Sequence, residues 1–234
     1  MAIKLVGPLI VIIIENVFWD LDGTLIDSEA VHEEAADYAL EIMGVAKPAL
    51  AIPTGLENAA GFELLFGVSV LEEPQLFACF EELVIEYAYL RISREQQITP
   101  AVELFRHFAE IGMPQSVVSN SGQFLVEHSL RQLGILELCV GVFSRDSVNH
   151  GKPNPQLYRN ALALHQATPA TSLTFEDSRS GILAAKAAGV NVIGVGLASQ
   201  EYQPDHICLP EQAHWLAQLN DKYLFRGKNE SGIY

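Results

Sequence analysis

The most informative stretch of this chain for its fold is NVFWDLDGT, residues 16–24. The run at 16–19 is apolar after its first residue, which is typical of a strand covered on both faces. It ends at Asp20, and Asp22 follows just before Gly23 in a pattern typical of a turn. Ligands of open α/β sheets bind beyond the carboxyl ends of the strands. Both aspartates are therefore expected at one small site there.

Apolar runs of the same kind recur along the chain at 116–118, 172–175, 191–195 and, more weakly, 138–143. Patterns with helical spacing lie between these runs, at 101–111, 124–133 and 180–188. Each helical pattern ends at a glycine, the residue that most often terminates a helix. Alternation of strand and helix predicts an α/β fold with a Rossmann-like doubly wound parallel sheet.

A segment without a convincing strand interrupts this alternation. It opens with four apolar residues at helical spacing: Val31, Ala35, Ala39 and Met43. Two further helical stretches follow, at 56–66 and 72–92. We therefore predict an all-helical cap domain at residues 28–98, inserted into a catalytic core made of residues 1–27 and 99–234.

Composition narrows the class of partner. The 234 residues are 49% hydrophobic and carry a net charge of −15, so the chain is globular and acidic. Nucleic acid and anionic membranes are poor partners for such a charge, whereas a small anionic substrate needs local cations or a metal. The three cysteines lack metal-binding spacing, which favours a reducing, cytoplasmic location. We expect a monomer or a weak homodimer.

The apolar stretch at 5–14 is too short to span a membrane, and no clear cleavage site follows it. It is interpreted as either an extended strand or a poorly placed extension, with no firm structural role.

A second pair of acids, Glu176 and Asp177, directly follows the run at 172–175, at the same sheet edge as Asp20 and Asp22. Four carboxylates converging without compensation would repel one another strongly. Oxygen ligands without a histidine or cysteine cluster favour Mg²⁺ over zinc. Helix capping would explain Asp177 alone, but not the convergence.

Two further motifs offer groups that bind phosphate. The segment SNSG, residues 119–122, places the Ser119 hydroxyl, Asn120 and backbone amides ahead of a helix. Lys152 lies in GKPNP, residues 151–155, a loop stiffened by two prolines. A lone lysine is usually a solvated surface charge, but one held between glycine and proline is a better candidate than average.

The order DLDGT, SNS, GKPNP and EDSRSGILAAKAAG resembles the haloacid dehalogenase superfamily over residues 16–210. The most similar branch comprises phosphatases and β-phosphoglucomutase-like enzymes with a helical cap after the first motif. The resemblance implies that Asp20 attacks phosphorus and is transiently phosphorylated. It also implies that Asp22 protonates the leaving group and then activates water, while Ser119 and Lys152 hold the phosphoryl oxygens.

The same resemblance implies a Mg²⁺ site formed by Asp20, the Asp22 carbonyl oxygen, Glu176 and Asp177. Further contacts to substrate or phosphate are expected from Gly23, Thr24, His32 and Asn120. Dehalogenases and phosphonatases of this family lack the acid that matches Asp22, so neither activity is favoured.

A β-phosphoglucomutase-like phosphosugar mutase is the serious alternative, because His32 matches a histidine of those enzymes. Mutases carry an arginine near the cap loop at 53–58, where this chain has Glu57 and Asn58. We therefore favour a Mg²⁺-dependent phosphatase of a small metabolite, with a sugar or polyol phosphate as substrate. A receiver-type signalling domain also combines acids with a lysine, but it is shorter and lacks the helical insert.

Overall fold

The structure, a computed structural model, describes residues 11–47 and 58–228. The strands of the described residues are β1 (Ile12–Ile14), β2 (Asn16–Trp19), β3 (Gln115–Val118), β4 (Gly141–Phe143), β5 (Ser172–Glu176), β6 (Asn191–Val195), β7 (His206–Cys208) and β8 (Tyr223–Phe225). The α-helices are α1 (Glu29–Ile42), α2 (Asn58–Phe66), α3 (Pro74–Arg91), α4 (Thr99–Glu110), α5 (Gln123–Leu133), α6 (Gln156–His165), α7 (Arg179–Ala188) and α8 (Trp215–Leu219).

Six strands form a parallel sheet in the order β4-β3-β2-β5-β6-β7. Chain order runs outward in one direction from β2 and in the other from β5, so the topological switch point lies between these two strands. Trp19 pairs in register with Phe175, which aligns the carboxyl ends of β2 and β5. The predicted Rossmann-like doubly wound sheet is confirmed.

Both faces of the sheet are covered, which explains why β2 is apolar without alternation. Trp19 stacks on Phe175 at a ring-centroid distance of 4.1 Å on one face, where Phe105 and Trp215 extend the core. Phe18 points to the other face. Each fully buried aromatic ring contributes about 2–3 kcal/mol through burial of its apolar surface. This core holds the end of β2 rigidly in place.

Helices α1, α2 and α3 lie between β2 and β3 in the chain, in the segment where helices are expected. They share their own apolar cluster around Phe62, Phe80 and Val84. The two connections to the sheet run side by side, because the Asp27 amide donates to the Gln96 carbonyl at 2.7 Å. The assignment of 28–98 as a separate cap domain stays a prediction.

Two details differ from the sequence-based expectation. Residues 12–14 form the separate strand β1, which pairs in parallel with β8 instead of extending β2. The chain leaves that pairing at Glu15, whose amide donates to the Thr171 carbonyl at 2.8 Å. The weak strand expected at 138–143 is confined to 141–143, because a 3-10 turn covers Leu136–Leu138.

The remainder of the apolar stretch, residues 5–10, and most of the cap loop at 53–58 lie outside the described residues. None of the helices in the described ranges is long and apolar enough to cross a membrane.

Candidate active site

The carboxyl ends of β2 and β5 bring a buried lysine between two carboxylates. Lys152 reaches them from the loop before α6, and its Nζ lies 2.6 Å from Asp20 Oδ1 and 2.5 Å from Glu176 Oε1. The same ammonium donates to the Val118 carbonyl at 2.7 Å. All three N–H donors of the ammonium thus bind groups at the carboxyl ends of β2, β3 and β5.

Opposing effects set the charge of Lys152. Burial alone would lower the pKa of this amine, but attraction by Asp20 and Glu176, together with their hydrogen bonds, raises the pKa above its usual value. Lys152 is therefore a permanent cation at neutral pH. A buried charge of this kind is stable only while both carboxylates remain in place.

A third carboxylate completes a candidate cation site. Ligand oxygens of Asp20, Glu176 and Asp177 lie within 4.8 Å of one another. Two buried oxygens, Glu176 Oε2 and Asp177 Oδ1, have no hydrogen-bond partner within the described part of the chain. Buried carboxylate oxygens without partners are costly, and a hard divalent cation with oxygen ligands would satisfy them.

Two glycines leave room for these carboxylates. A β-carbon at Gly181 would overlap with the Glu176 carboxylate, and one at Gly23 would overlap with that of Asp177. Gly23 also has a φ of +79°, a left-handed conformation that side chains disfavour. Gly23 therefore leaves room for Asp177, and its predicted contact with substrate or phosphate stays a prediction.

The pKa values of Asp177 and Asp20 reflect burial first and an excess of negative charge second. Burial, followed by repulsion from Glu176, raises the pKa of Asp177 to about 8. The pKa of Asp20 is raised well above its ordinary range, mainly by burial, although Lys152 opposes this. Added positive charge would ionise both acids, so this donor set fits Mg²⁺.

Asp22 lies in a different environment, surrounded by donors. Its Oδ1 accepts from the Ser28 hydroxyl at 2.6 Å and lies 3.0 Å from His32 Nε2, while its Oδ2 accepts from the Ser121 hydroxyl at 2.7 Å. Burial favours the neutral acid, but His32 and the two hydroxyls outweigh it and lower the pKa of Asp22. In turn, Asp22 overcomes the effect of burial and raises the pKa of His32.

The segment after β3 holds Ser119 and Asn120 against the lysine loop. The Ser119 hydroxyl is buried and accepts from the Ser121 amide at 3.0 Å. The Asn120 side chain accepts from the Lys152 amide at 2.7 Å and donates to the Lys152 carbonyl at 3.1 Å. Asn120 therefore positions Lys152, and its predicted contact with phosphate stays a prediction.

An open cavity of about 600 Å³ lies over this cluster, between the sheet edge and the helical insert. Its lining includes most of the predicted site residues: Asp20, Asp22, Gly23, His32, Ser119, Asn120, Lys152 and Asp177. Glu176 lies beneath this lining and Thr24 is fully buried outside it. The structure thus brings the predicted residues together but leaves Thr24 away from the cavity wall.

Sequence reasoning missed three partners of these residues. The Tyr158 hydroxyl, on α6, forms a short hydrogen bond with Glu176 Oε1 and lies 3.1 Å from Thr174 Oγ1. Ser28 and Ser121 hold Asp22. The position of Ser121 in the SNSG segment was an available signal, whereas Tyr158 looks like an ordinary core residue of an amphipathic helix.

The family model of haloacid dehalogenase-like hydrolases matches residues 17–195. A validoxylamine A 7'-phosphate phosphatase from Streptomyces hygroscopicus subsp. limoneus is 32% identical over 177 residues, covering 76% of this chain and 83% of that protein. A phosphoglycolate phosphatase from Vibrio vulnificus (strain CMCP6) is 30% identical over 222 residues, covering 90% and 96% respectively.

Among solved structures, β-phosphoglucomutase from Clostridium difficile matches with a TM-score of 0.73 at 17% identity, covering 89% of this chain and 96% of that one. At this identity the likeness shows a shared fold.

Proposed function

This chain belongs to the haloacid dehalogenase-like hydrolases and is a phosphoric monoester hydrolase, and we propose that it is a Mg²⁺-dependent phosphatase working through an aspartyl phosphate on Asp20. The substrate class we propose is a small phosphorylated metabolite, with a sugar or polyol phosphate first. We further propose a cytoplasmic monomer or weak homodimer. The net charge of −15 disfavours nucleic acid and anionic membranes as partners.

One observation carries the proposal: Lys152 lies between Asp20 and Glu176 at the switch point of the sheet, and two neighbouring carboxylate oxygens have no partner among the residues that the structure describes. Phosphoryl transfer requires mainly positioning and neutralisation of charge on the phosphoryl oxygens. The cluster supplies both, because Lys152 is a fixed cation and Asp20 is held on a rigid strand.

The proposed first step uses Asp20 and Asp22. A carboxylate oxygen of Asp20 bonds to phosphorus while the bond from phosphorus to the leaving oxygen breaks. Asp22 Oδ1 and His32 Nε2 lie 3.0 Å apart, so the two side chains can share one proton. That proton passes to Asp22 and then to the leaving oxygen as its charge develops.

The second step regenerates the enzyme. Asp22, now a carboxylate, accepts a proton from a water molecule that attacks phosphorus. The bond between phosphorus and Asp20 then breaks and releases phosphate. Ser28 and Ser121 hold Asp22 for this step through hydrogen bonds of 2.6 and 2.7 Å.

We propose that Asp20, Glu176 and Asp177, with the Asp22 carbonyl oxygen, would hold Mg²⁺. When bound, the ion supplies positive charge against the phosphoryl oxygens and keeps the acids ionised. Glu176 can serve both cations of the site. Its Oε1 pairs with Lys152, and its Oε2, which has no hydrogen-bond partner among the described residues, would be available to Mg²⁺.

A phosphate-release assay tests the proposal. The purified protein is given sugar, polyol and nucleoside phosphates and phosphoglycolate, with and without Mg²⁺, beside Asp20→Asn. We expect Mg²⁺-dependent release that falls at least about 10³-fold in Asp20→Asn. Asp37→Asn, which alters a surface pair with Lys47, is the matched control and should retain activity.

Activity retained in Asp20→Asn would contradict the assignment of the nucleophile. Absence of release from every ester would favour the mutase, and β-glucose 1-phosphate with its bisphosphate activator would then be the substrate to test. The contact between His32 and Asp22 is compatible with that alternative.

A further inference from the structure

We propose that the cavity selects a phosphate ester whose leaving group carries no anionic group, and that it discriminates against esters bearing a carboxylate or a second phosphate. This inference rests on the proposed phosphatase function, and it narrows the substrate class of the same site. It also separates this chain from its phosphoglycolate phosphatase relatives, whose named substrate bears a carboxylate.

The cations of the cavity are bound to acceptors within the protein. Among the described lining residues, those able to carry positive charge are Lys152, His32 and Arg145. Lys152 is paired with two buried carboxylates, and His32 is paired with Asp22. The Arg145 guanidinium donates to the Val148 carbonyl at 2.9 Å and to that of Asn149 at 3.4 Å. Each cation therefore already has protein acceptors.

The helical insert does not supply another cation to the cavity from its described part. Lys47 pairs with Asp37 at 2.7 Å, Arg91 lies over the Tyr87 ring at 5.1 Å, and neither these residues nor Arg94 lines the cavity. The undescribed residues 48–57 contain no lysine, arginine or histidine. A second anionic group would thus have to displace an existing pair.

Acidic and apolar side chains of the helical insert form the cavity wall on the side away from the sheet. Glu29 and Glu33 from α1 and Glu81 from α3 line the cavity, and the apolar side chains Phe77, Phe80, Val84, Ile85 and Phe124 lie among them. An anion on the leaving group would be repelled by these carboxylates and would lose its hydration against the apolar wall. Hydroxyl groups could instead donate to the carboxylates while carbon atoms pack on the rings.

The cavity therefore discriminates by repelling esters with an anionic leaving group. The cavity volume of about 600 Å³ accommodates a sugar-sized ligand, so size alone does not exclude small anionic esters. Charge is the property that separates the two classes of substrate.

A matched set of two-carbon esters tests the inference on the intact protein with Mg²⁺. The esters are 2-hydroxyethyl phosphate, O-phosphoethanolamine and phosphoglycolate, which are similar in size and carry a neutral, a cationic and an anionic end group. Glucose 6-phosphate and 6-phosphogluconate repeat the neutral and anionic comparison at the size of a sugar. We expect kcat/KM to be lower for the anionic member of each set by about tenfold or more.

Two charge-reversal variants locate the effect. Glu33→Lys places a cation on the cavity wall and should raise kcat/KM for phosphoglycolate relative to 2-hydroxyethyl phosphate by about tenfold. Glu41→Lys makes the same change of charge on α1, at an exposed position outside the cavity lining, and should leave that ratio unchanged.

Phosphoglycolate hydrolysed as well as 2-hydroxyethyl phosphate, together with equal ratios in both variants, would overturn the inference and leave the phosphatase function intact. Absence of Mg²⁺-dependent release from every ester of both sets would instead refute the proposed function, and with it this inference.

Discussion

Two buried polar clusters lie at opposite ends of the same sheet, and they treat charge in opposite ways. At the amino ends, Ser116 Oγ lies 2.7 Å from His165 Nε2, and His165 Nδ1 lies 3.0 Å from Asn16 Oδ1. This hydrogen-bonded cluster is neutral, because burial lowers the pKa of His165 to about 4. At the carboxyl ends, Lys152 and Asp20 belong to a cluster with more negative than positive charge.

The difference separates stability from reactivity along the same strands. Every named polar atom of the Asn16–Ser116–His165 cluster has a partner, so the cluster satisfies buried groups and contributes to folding. The Asp20 cluster leaves Glu176 Oε2 and Asp177 Oδ1 without one among the described residues. Unsatisfied, like-charged groups destabilise a fold, and they are typical of sites that bind a ligand. Substitutions at the carboxyl end should therefore impair activity or Mg²⁺ binding, whereas substitutions at the amino end should change stability alone.

The largest effect is expected for Lys152→Met. Removing the cation leaves Asp20 and Glu176 uncompensated, which should cost about 3 kcal/mol of unfolding free energy without Mg²⁺. Phosphatase activity should fall at least about 10²–10³-fold, because a fixed positive charge at the phosphoryl group is lost. Denaturant unfolding and phosphate release measure the two effects.

Lys186→Met is the matched control. Lys186 is exposed and its ammonium contacts the carbonyl oxygens of Tyr202 and Gln203, so both quantities should change little. An activity loss of less than tenfold in Lys152→Met would show that the lysine has no electrostatic role in the reaction.

Tyr158→Phe sharpens the contrast at the carboxyl end with a smaller change. Its hydroxyl fixes Glu176 Oε1 and thereby orients Oε2. Loss of such a supporting contact typically lowers metal affinity about tenfold, and we expect this for Mg²⁺ measured by titration calorimetry.

Tyr223→Phe removes a buried hydroxyl that has no partner within the described ranges, so it should not weaken Mg²⁺ binding or stability. Equal Mg²⁺ affinity in the two variants would show that Tyr158 does not position Glu176.

At the amino end, Ser116→Ala should affect stability alone. The substitution leaves Nε2 of the half-buried His165 without its hydroxyl partner, which should cost about 1–3 kcal/mol of unfolding free energy. Because the cluster lies at the other end of the strands, kcat/KM of the folded protein should remain within about twofold of the parent. A tenfold loss of kcat/KM in fully folded protein would contradict the separation of the two ends.

A further effect at the amino end concerns the dependence of stability on pH. Burial lowers the pKa of His165 to about 4 in the folded protein, below 6.5 in the unfolded chain, so the unfolded state binds more protons between these values. Stability should therefore fall as the pH decreases from 6.5 to 4. His165→Gln should abolish this decrease. Linkage, discounted for the partial exposure of His165, puts the decrease at about 2 kcal/mol of unfolding free energy. Parallel pH profiles of unfolding free energy for the two proteins would contradict the shifted pKa.

Much of the carboxyl end was predictable from sequence because it depends on local rules. Acids that follow continuous apolar runs must lie at the carboxyl edge of a parallel sheet, which located Asp20 and Glu176. The glycine-terminated helical patterns between the strands predicted the doubly wound topology, and the longer helical segment predicted the insert.

The rest depends on distances that no sequence pattern encodes. Tyr158 has the spacing of a core residue, and only the packing of α6 brings its hydroxyl to Glu176. Strand β1 pairs with β8 from the far end of the chain, and three-residue strands carry too little pattern to predict a partner. Gly181 reads as a helical residue, although the site needs it to make room for Glu176.

The most direct test of the central claim is acid-quench labelling of the enzyme with a ³²P-labelled substrate in Mg²⁺. Asp22→Ala should slow loss of the phosphoryl group and accumulate label. We expect an acid-stable, base-labile acyl phosphate on the peptide that contains Asp20, and no such label in Asp20→Asn. Label on another residue, or turnover without any labelled enzyme in either Asp22→Ala or the parent protein, would contradict the central claim.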